Sequence, residues 1–453
     1  MIAMRLREAA AALGLPPPAA DAGFRGVDTD SRRLHRGALF VALRGTRFDG
    51  HDFVAAAEAG GAAAALVERP LPLALPQLVV ADTRRALGLL ARAWRRRHAP
   101  QVVGVTGSNG KTTVKEMVAA VAAACGPVLA TRGNLNNDIG LPLTLFGLGP
   151  EHRTAVLEMG ASAPGEIATL AALAIPHVGI VTGAAAAHLE GFGSLEAVAR
   201  TKGALLEALP PEGVAVFPAE DAFAPLWRGL AAGRRVLDYA LGGAGAAVRG
   251  EAGATTLGRD GFRTPVRIRD AEGEWVLTLR LGGAHNARNA LAAWAAGAAL
   301  GIAPQARVGA LEAIAPPPGR LAPRPARGGG WLIDDSYNAN PASLAAGLAV
   351  LAGLGGERVL VLGDMAELGA EAEALHREAG AAARRAGIAR LHALGPLAAR
   401  AAEAFGVGGQ VHESVGALLD AVEGALGPDT VVLVKGSRAM AMERIVHALA
   451  AEG

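Results

Sequence analysis

The sequence predicts an α/β protein of three domains. These are a small mixed α/β domain over residues 1–82, a central parallel-sheet domain around a phosphate loop over 83–314, and a doubly wound C-terminal domain over 315–453. Three observations predict this. Residues 101–116 read QVVGVTGSNGKTTVKE, an apolar strand with β-branched residues that breaks into a turn at Gly107 and restarts as a helix near Lys111. Apolar runs alternate with helical segments on either side of that stretch, the pattern of parallel sheets covered on both faces. Pro316-Pro317-Pro318-Gly319-Arg320 reads as a stiff linker ahead of the last domain.

At 453 residues the chain is too long for one ordinary core. Its single cysteine, Cys125, excludes an internal disulfide framework and fits a reducing, cytoplasmic compartment. Arg5, Arg7 and Glu8 interrupt the N-terminal apolar stretch, so no secretory signal is expected. The longest uncharged segment, residues 167–189, contains Pro176, Gly179 and Gly183 and reads as a helix end followed by a buried strand, with no membrane insertion. A net charge of +2 gives no argument for nucleic acid, and Arg95-Arg96-Arg97 reads as the solvated end of a helix.

Of 44 basic residues only four are lysines, Lys111, Lys115, Lys202 and Lys435. Arginine serves almost wherever a generic positive charge suffices, so the lysines mark places where a compact amine that can lose its proton is needed. Asparagine is similarly confined, to Asn109; Asn134, Asn136 and Asn137; Asn286 and Asn289; and Asn338 and Asn340. Turn use accounts for one or two of these clusters but poorly for all four.

In the first domain, apolar segments at residues 37–43, 63–67 and 77–80 accompany a helix near 52–59. Its polar turns, 28–32 and 45–51, contain Asp30, Ser31, Arg32, Thr46 and Arg47; beside Phe48 their donors suit a sugar diphosphate and a uracil ring, although Asp and Gly also build plain turns. In the second, the turn Gly107-Ser108-Asn109-Gly110 and the helix start aim backbone N–H groups at one point, the geometry that holds phosphate. Lys111 can supply charge to the outer phosphates and Thr112 a hydroxyl to magnesium, with Thr113 completing the Gly-Lys-Thr-Thr half of the motif; the spacing between the two glycines is shorter than the standard pattern.

Strands are expected at 154–159 and 177–182, and ligands of such sheets gather at strand carboxyl ends. Glu158 there can bind magnesium directly or through water. His188 follows a turn and reads equally as a plain loop histidine, while Lys202 lies on an expected helix over 194–209. Asn286 and Asn289 open an alanine-rich helix on one face, where an amide pair could read a purine edge. In the third, Rossmann-like domain, strands at 331–333, 358–362, 391–394 and 431–434 end in polar loops holding Asp335, Tyr337 and Asn338, then Asp364–Gly369, then Lys435, Ser437 and Arg438. All three loops should emerge on one sheet edge.

Taken together and in order, these motifs resemble the Mur ligase family of ATP-dependent amide-bond ligases. The resemblance covers nearly the full length, through Asp30-Ser31-Arg32, Thr106–Thr113, Gly133–Asn137, residues 188–194, His285-Asn286, Asp334–Pro341 and Lys435–Arg438. The chain reads DDSYNANP at Asp334, and the Asp-Asn-Pro-Arg signature of diamino-acid-adding relatives is absent. The resemblance therefore implies small-molecule substrates, UDP-N-acetylmuramoyl-tripeptide and D-alanyl-D-alanine, in a cytoplasmic monomer. It implies two magnesium ions near Thr112, Glu158 and His188, and a carbamate, formed from carbon dioxide on Lys202, that binds the second ion. It places Asn286 and Asn289 near adenine, Arg320 near the γ-phosphate and Asp335 near the ribose of ATP. It also assigns Asp30, Ser31, Arg32, Thr46, Arg47, Asn134 and Asn137 to the UDP substrate. Tyr337, Asn338, Lys435, Ser437 and Arg438 go to the dipeptide or to domain closure. Similar ligases often read Lys-Gly-Glu where this chain has Lys202-Gly203-Ala204, so that glutamate's support is missing. The alternatives are a folyl-polyglutamate-type or other amino-acid ligase, and a nucleotide-binding module without catalysis.

Overall fold

The computed structural model describes residues 1–185, 192–243 and 245–451. Strands Val27–Asp28, Leu39–Val41, Ala64–Val67 and Gln77–Val79 form a four-stranded sheet in chain order, parallel throughout. Leu39 and Val41 face one core while Phe40 and Ala42 face another, as a sheet covered on both sides requires. The helix Thr83–Arg97 starts at Asp82, whose carboxylate accepts the Arg85 N–H at 2.9 Å. Its Leu87, Leu90 and Trp94 join Ile2, Leu39, Leu66 and Leu141, so one apolar core continues from the first sheet into the second.

The second sheet has six strands in the order Arg235–Val236, Val214–Val216, Val178–Val181, Gln101–Thr106, Thr154–Glu158 and Val128–Ala130. Every pair is parallel. The phosphate-loop strand is therefore central, and its carboxyl end opens between those of two neighbours reached by separate crossovers. That is where such sheets place ligands.

The glycine-rich stretch after residue 213 divides. Its first strands extend the parallel sheet, and the rest folds as a separate five-stranded sheet on the flank, dominated by the antiparallel pair Gly261–Asp270 and Gly273–Leu279. Phe262, Val266 and Ile268 point inward while Arg263, Arg267 and Arg269 face solvent, the alternation of a half-buried strand.

The last sheet runs Ala322–Pro325, Trp331–Asp335, Thr430–Lys435, Glu357–Gly363, Arg390–Leu394 and Gly409–His412. Only its first pair is antiparallel. This unit packs on the middle one: Phe262 belongs to the apolar cluster of Ile333, Leu344 and Leu351, and a Cβ on Gly283 would lie 2.5 Å from Val350 Cγ2. Among the described residues no helix is long and apolar enough to cross a membrane.

Candidate active site

The strand Gln101–Thr106 ends in Gly107, and the helix Lys111–Ala122 begins directly after Gly110. Gly107 has φ 143° and Gly110 φ 80°. A Cβ at the first would lie 2.0 Å from Thr182 Oγ1, and at the second 2.7 Å from Asn289 Oδ1, so neither position accepts a side chain. The turn is pinned from the neighbouring strand. Ser108 N–H donates to the Gly183 carbonyl at 3.0 Å, and the Thr182 hydroxyl donates to the Asn109 carbonyl at 2.5 Å. The Lys111 ammonium folds inward onto the carbonyls of Gly107 at 2.7 Å and Ser108 at 3.3 Å. Burial lowers its pKa, with Glu158 opposing and Arg320 adding to the fall.

Glu158, 3% exposed, ends the adjacent strand. The Thr112 hydroxyl donates to its Oε2 at 2.8 Å and the Asn136 amide to its Oε1 at 2.9 Å. Its own N–H donates to the Thr131 hydroxyl at 3.0 Å. Lys115, 2% exposed, donates to the Thr131 carbonyl at 2.8 Å and to Glu116 at 2.5 Å, tying the loop helix to the segment that supports Glu158. A hydroxyl and a carboxylate are hard oxygen donors, and this pair fits magnesium, which takes few protein ligands and completes its shell with water and phosphate. Among the described residues no group of three His, Cys, Asp or Glu is placed to hold a metal ion. His188 lies outside the described residues.

Lys202 enters from the helix Leu195–Glu207, 3% exposed, with its amine 3.3 Å from the Ala161 carbonyl and 5.3 Å from the centre of the Phe192 ring. Burial, reinforced by the Lys111 charge and opposed by Glu166, pushes its pKa down to about 7.

The third unit faces this edge. Arg320 lies over the Tyr337 ring at 4.3 Å and Arg438 at 6.0 Å. Lys435 and Asp335 form a buried pair at 2.5 Å, and Lys435 also donates to the Asn338 carbonyl at 3.0 Å. Burial raises the Asp335 carboxyl against the pull of Lys435. The other Asp335 oxygen accepts Leu321 N–H at 3.2 Å, holding that buried leucine at φ 51° just after Arg320. Both Asp335 oxygens are thus engaged within the unit. Ser437 is buried, its N–H on the Asp364 carbonyl.

Asn286 donates to the Gly282 carbonyl at 2.9 Å and accepts from Asn289 at 3.1 Å, so the amides bond each other beside the loop. In the first unit, Asp30 and Arg32 pair with each other at 2.7 Å, and Thr46 and Arg47 lie exposed in their turn. Asn134 is exposed, and Asn137 accepts the Gly140 N–H at 2.8 Å.

The sequence assigns no specific task to Asn136, Thr131, Lys115 or Asn340. Lysine and asparagine scarcity pointed at three of them; nothing local distinguished Thr131.

Family models match along the chain: the Mur ligase family catalytic domain over 23–120, the Mur ligase middle domain over 105–297 and the Mur ligase glutamate ligase domain over 319–438. The UDP-N-acetylmuramoyl-tripeptide--D-alanyl-D-alanine ligase of Escherichia coli is 45% identical over 96% of this chain and 95% of its own length. The chain belongs to the Mur ligase family. This Mur ligase is an ATP-dependent enzyme that forms amide bonds. Its fold is similar to the crystal structure of MurF from Acinetobacter baumannii, with a TM-score of 0.92 and 33% identity over 99% and 98% of the two chains. It also resembles the MurF ligase of Thermotoga maritima in complex with ADP, with a TM-score of 0.83 and 27% identity over 94% and 96%.

Proposed function

We propose that this Mur ligase joins D-alanyl-D-alanine to UDP-N-acetylmuramoyl-tripeptide, consuming ATP, in the cytoplasmic synthesis of a peptidoglycan precursor. The observation that carries this reading is the Thr112–Glu158 bond at the mouth of the phosphate loop, with the Lys111 and Lys202 amines beside it. The curated relative at 45% identity supports the choice of substrates.

In this reading Lys111 and the loop N–H groups hold the γ-phosphate, and the tripeptide's terminal carboxylate attacks phosphorus to give an acyl phosphate and ADP. The dipeptide amine then attacks the acyl carbon, and phosphate leaves through a tetrahedral intermediate. Magnesium, held by Thr112 and Glu158, supplies charge neutralisation on the phosphate oxygens when bound. Lys202 meets no carboxylate within hydrogen-bond reach among the described residues, and a buried amine of lowered pKa is suited to taking up carbon dioxide as a second oxygen ligand. Arg320 approaches the γ-phosphate from the third unit, with Asn286 and Asn289 beside the base. Residues 1–82 hold the UDP end through Asp30, Ser31, Arg32, Thr46 and Arg47, with Asn134 and Asn137 contributing from the 83–314 unit. Residues 315–453 close over the 83–314 unit, excluding water and bringing Tyr337, Asn338, Lys435, Ser437 and Arg438 toward the dipeptide.

Phosphate release from ATP tests this reading. Release should require both UDP-muramoyl-tripeptide and D-alanyl-D-alanine; equal release with either omitted, or with a single amino acid replacing the dipeptide, overturns it.

A further inference from the structure

Asn340 caps the helix Pro341–Ala352: its Oδ1 accepts the Ser343 N–H at 2.9 Å, and the Ser343 hydroxyl accepts the Asn340 N–H at 3.0 Å in return. The cap leaves the amide Nδ2 free to donate elsewhere, and it donates to Asn109 Oδ1 in the phosphate loop at 2.8 Å. Asn137 likewise accepts the Gly140 N–H where the helix Gly140–Leu145 begins, and the other capping side chains at helix N-termini among the described residues are Asp or Ser: Asp30, Asp49, Asp82, Ser194 and Ser414. These cap about as well as asparagine. At this cap asparagine also supplies the NH2 donor that aspartate lacks and a reach that serine lacks, and the donor is used on Asn109.

The remaining anchors of the turn come from its own unit: Thr182 on the Asn109 carbonyl, Gly183 on Ser108, and Asn289 against Gly110. Among the described residues, the Asn109–Asn340 bond is the only hydrogen bond from the turn to the third unit. We propose that Asn340 is a positioning residue for the ligase reaction. It sets the Asn109 side chain and so the phosphate loop, giving the loop its working shape only while the third unit is docked. Binding of the nucleotide and seating of that unit are then coupled through one amide pair. This rests on the ligase reading given above.

A double-mutant cycle on the full-length protein tests it, with Asn340→Ser, Asn109→Ala and the pair together. Serine retains the cap but is too short to reach Asn109, and Asn109→Ala removes the same bond without touching the cap. Each single change should lower kcat/KM for ATP about five- to tenfold, leaving KM for the UDP substrate unchanged. The double should fall no further than the worse single change. Hydrogen exchange at the amides of 107–112 should quicken severalfold in each single variant, with Tm close to wild type. Multiplicative losses, or unchanged exchange in Asn109→Ala and Asn340→Ser, overturn the proposal. If the wild type consumes no ATP with the two substrates, the ligase reading fails instead, and loop exchange still decides the role of Asn340.

Discussion

The Thr112 hydroxyl donates to the Glu158 carboxylate at 2.8 Å, joining the first turn of the loop helix to the end of the adjacent strand. The pair places a hard oxygen site beside the glycine turn proposed to receive the phosphates. Asn136 on the other carboxylate oxygen fixes the rotamer. Glu158→Gln keeps the shape and removes the charge. Activity should fall about 100-fold or more, with a higher magnesium requirement, in a magnesium titration at saturating ATP.

Lys115 supports that pair from behind. Glu116 is half in solvent, so Lys115→Met does not strand a buried charge; the cost falls on the Thr131 carbonyl, which loses its partner. Chemical denaturation should show a loss of about 1–3 kcal/mol. The magnesium requirement should rise as well, because the Thr131 hydroxyl holds the Glu158 backbone.

Lys202 is predicted to need its neutral form. Arginine stays charged and cannot take up carbon dioxide, so Lys202→Arg should lose at least about 100-fold in activity at every bicarbonate concentration. Wild-type activity should rise with added bicarbonate. At fixed dissolved carbon dioxide it should also climb as pH passes upward through about 7, where the amine loses its proton. Activity indifferent to bicarbonate, after preparation free of carbon dioxide, contradicts this role.

A pH effect on stability is expected far from the site. His392 and His412 stack with ring centres 5.2 Å apart and Nδ1 of the first 3.0 Å from Nε2 of the second. Burial, then the His412 charge, pushes His392 down to about 4. The folded state thus favours the neutral ring. Its contribution is full above the unfolded value near 6.5 and is lost as pH falls from there toward 4, since the unfolded chain binds the proton first. Urea midpoints should decline over that window by up to ~3 kcal/mol in stability, and His392→Gln should flatten the decline.

The parallel sheets were legible because buried strands such as Val102–Val105 and Val431–Val434 are continuous apolar runs ending in polar turns. The flanking sheet was not read as a separate layer, although Phe262 to Arg269 alternates plainly, because the surrounding glycines blurred its limits. Within the site, chemistry was easier to read than selection among neighbours. Asn134, Asn136 and Asn137 are alike in sequence, and only the path of the chain turns the middle one to Glu158. Lys115 was conspicuous by its rarity, but its task depends on Thr131, brought to it by packing. The Asn109–Asn340 bond spans 231 positions, beyond any local pattern.

The acyl-phosphate route is tested most directly by isotope transfer. UDP-N-acetylmuramoyl-tripeptide labelled with oxygen-18 in its terminal carboxylate is turned over with ATP and D-alanyl-D-alanine, and the released phosphate is weighed by mass spectrometry. One labelled oxygen per phosphate is the predicted result. Phosphate with no label, alongside normal peptide product, contradicts it.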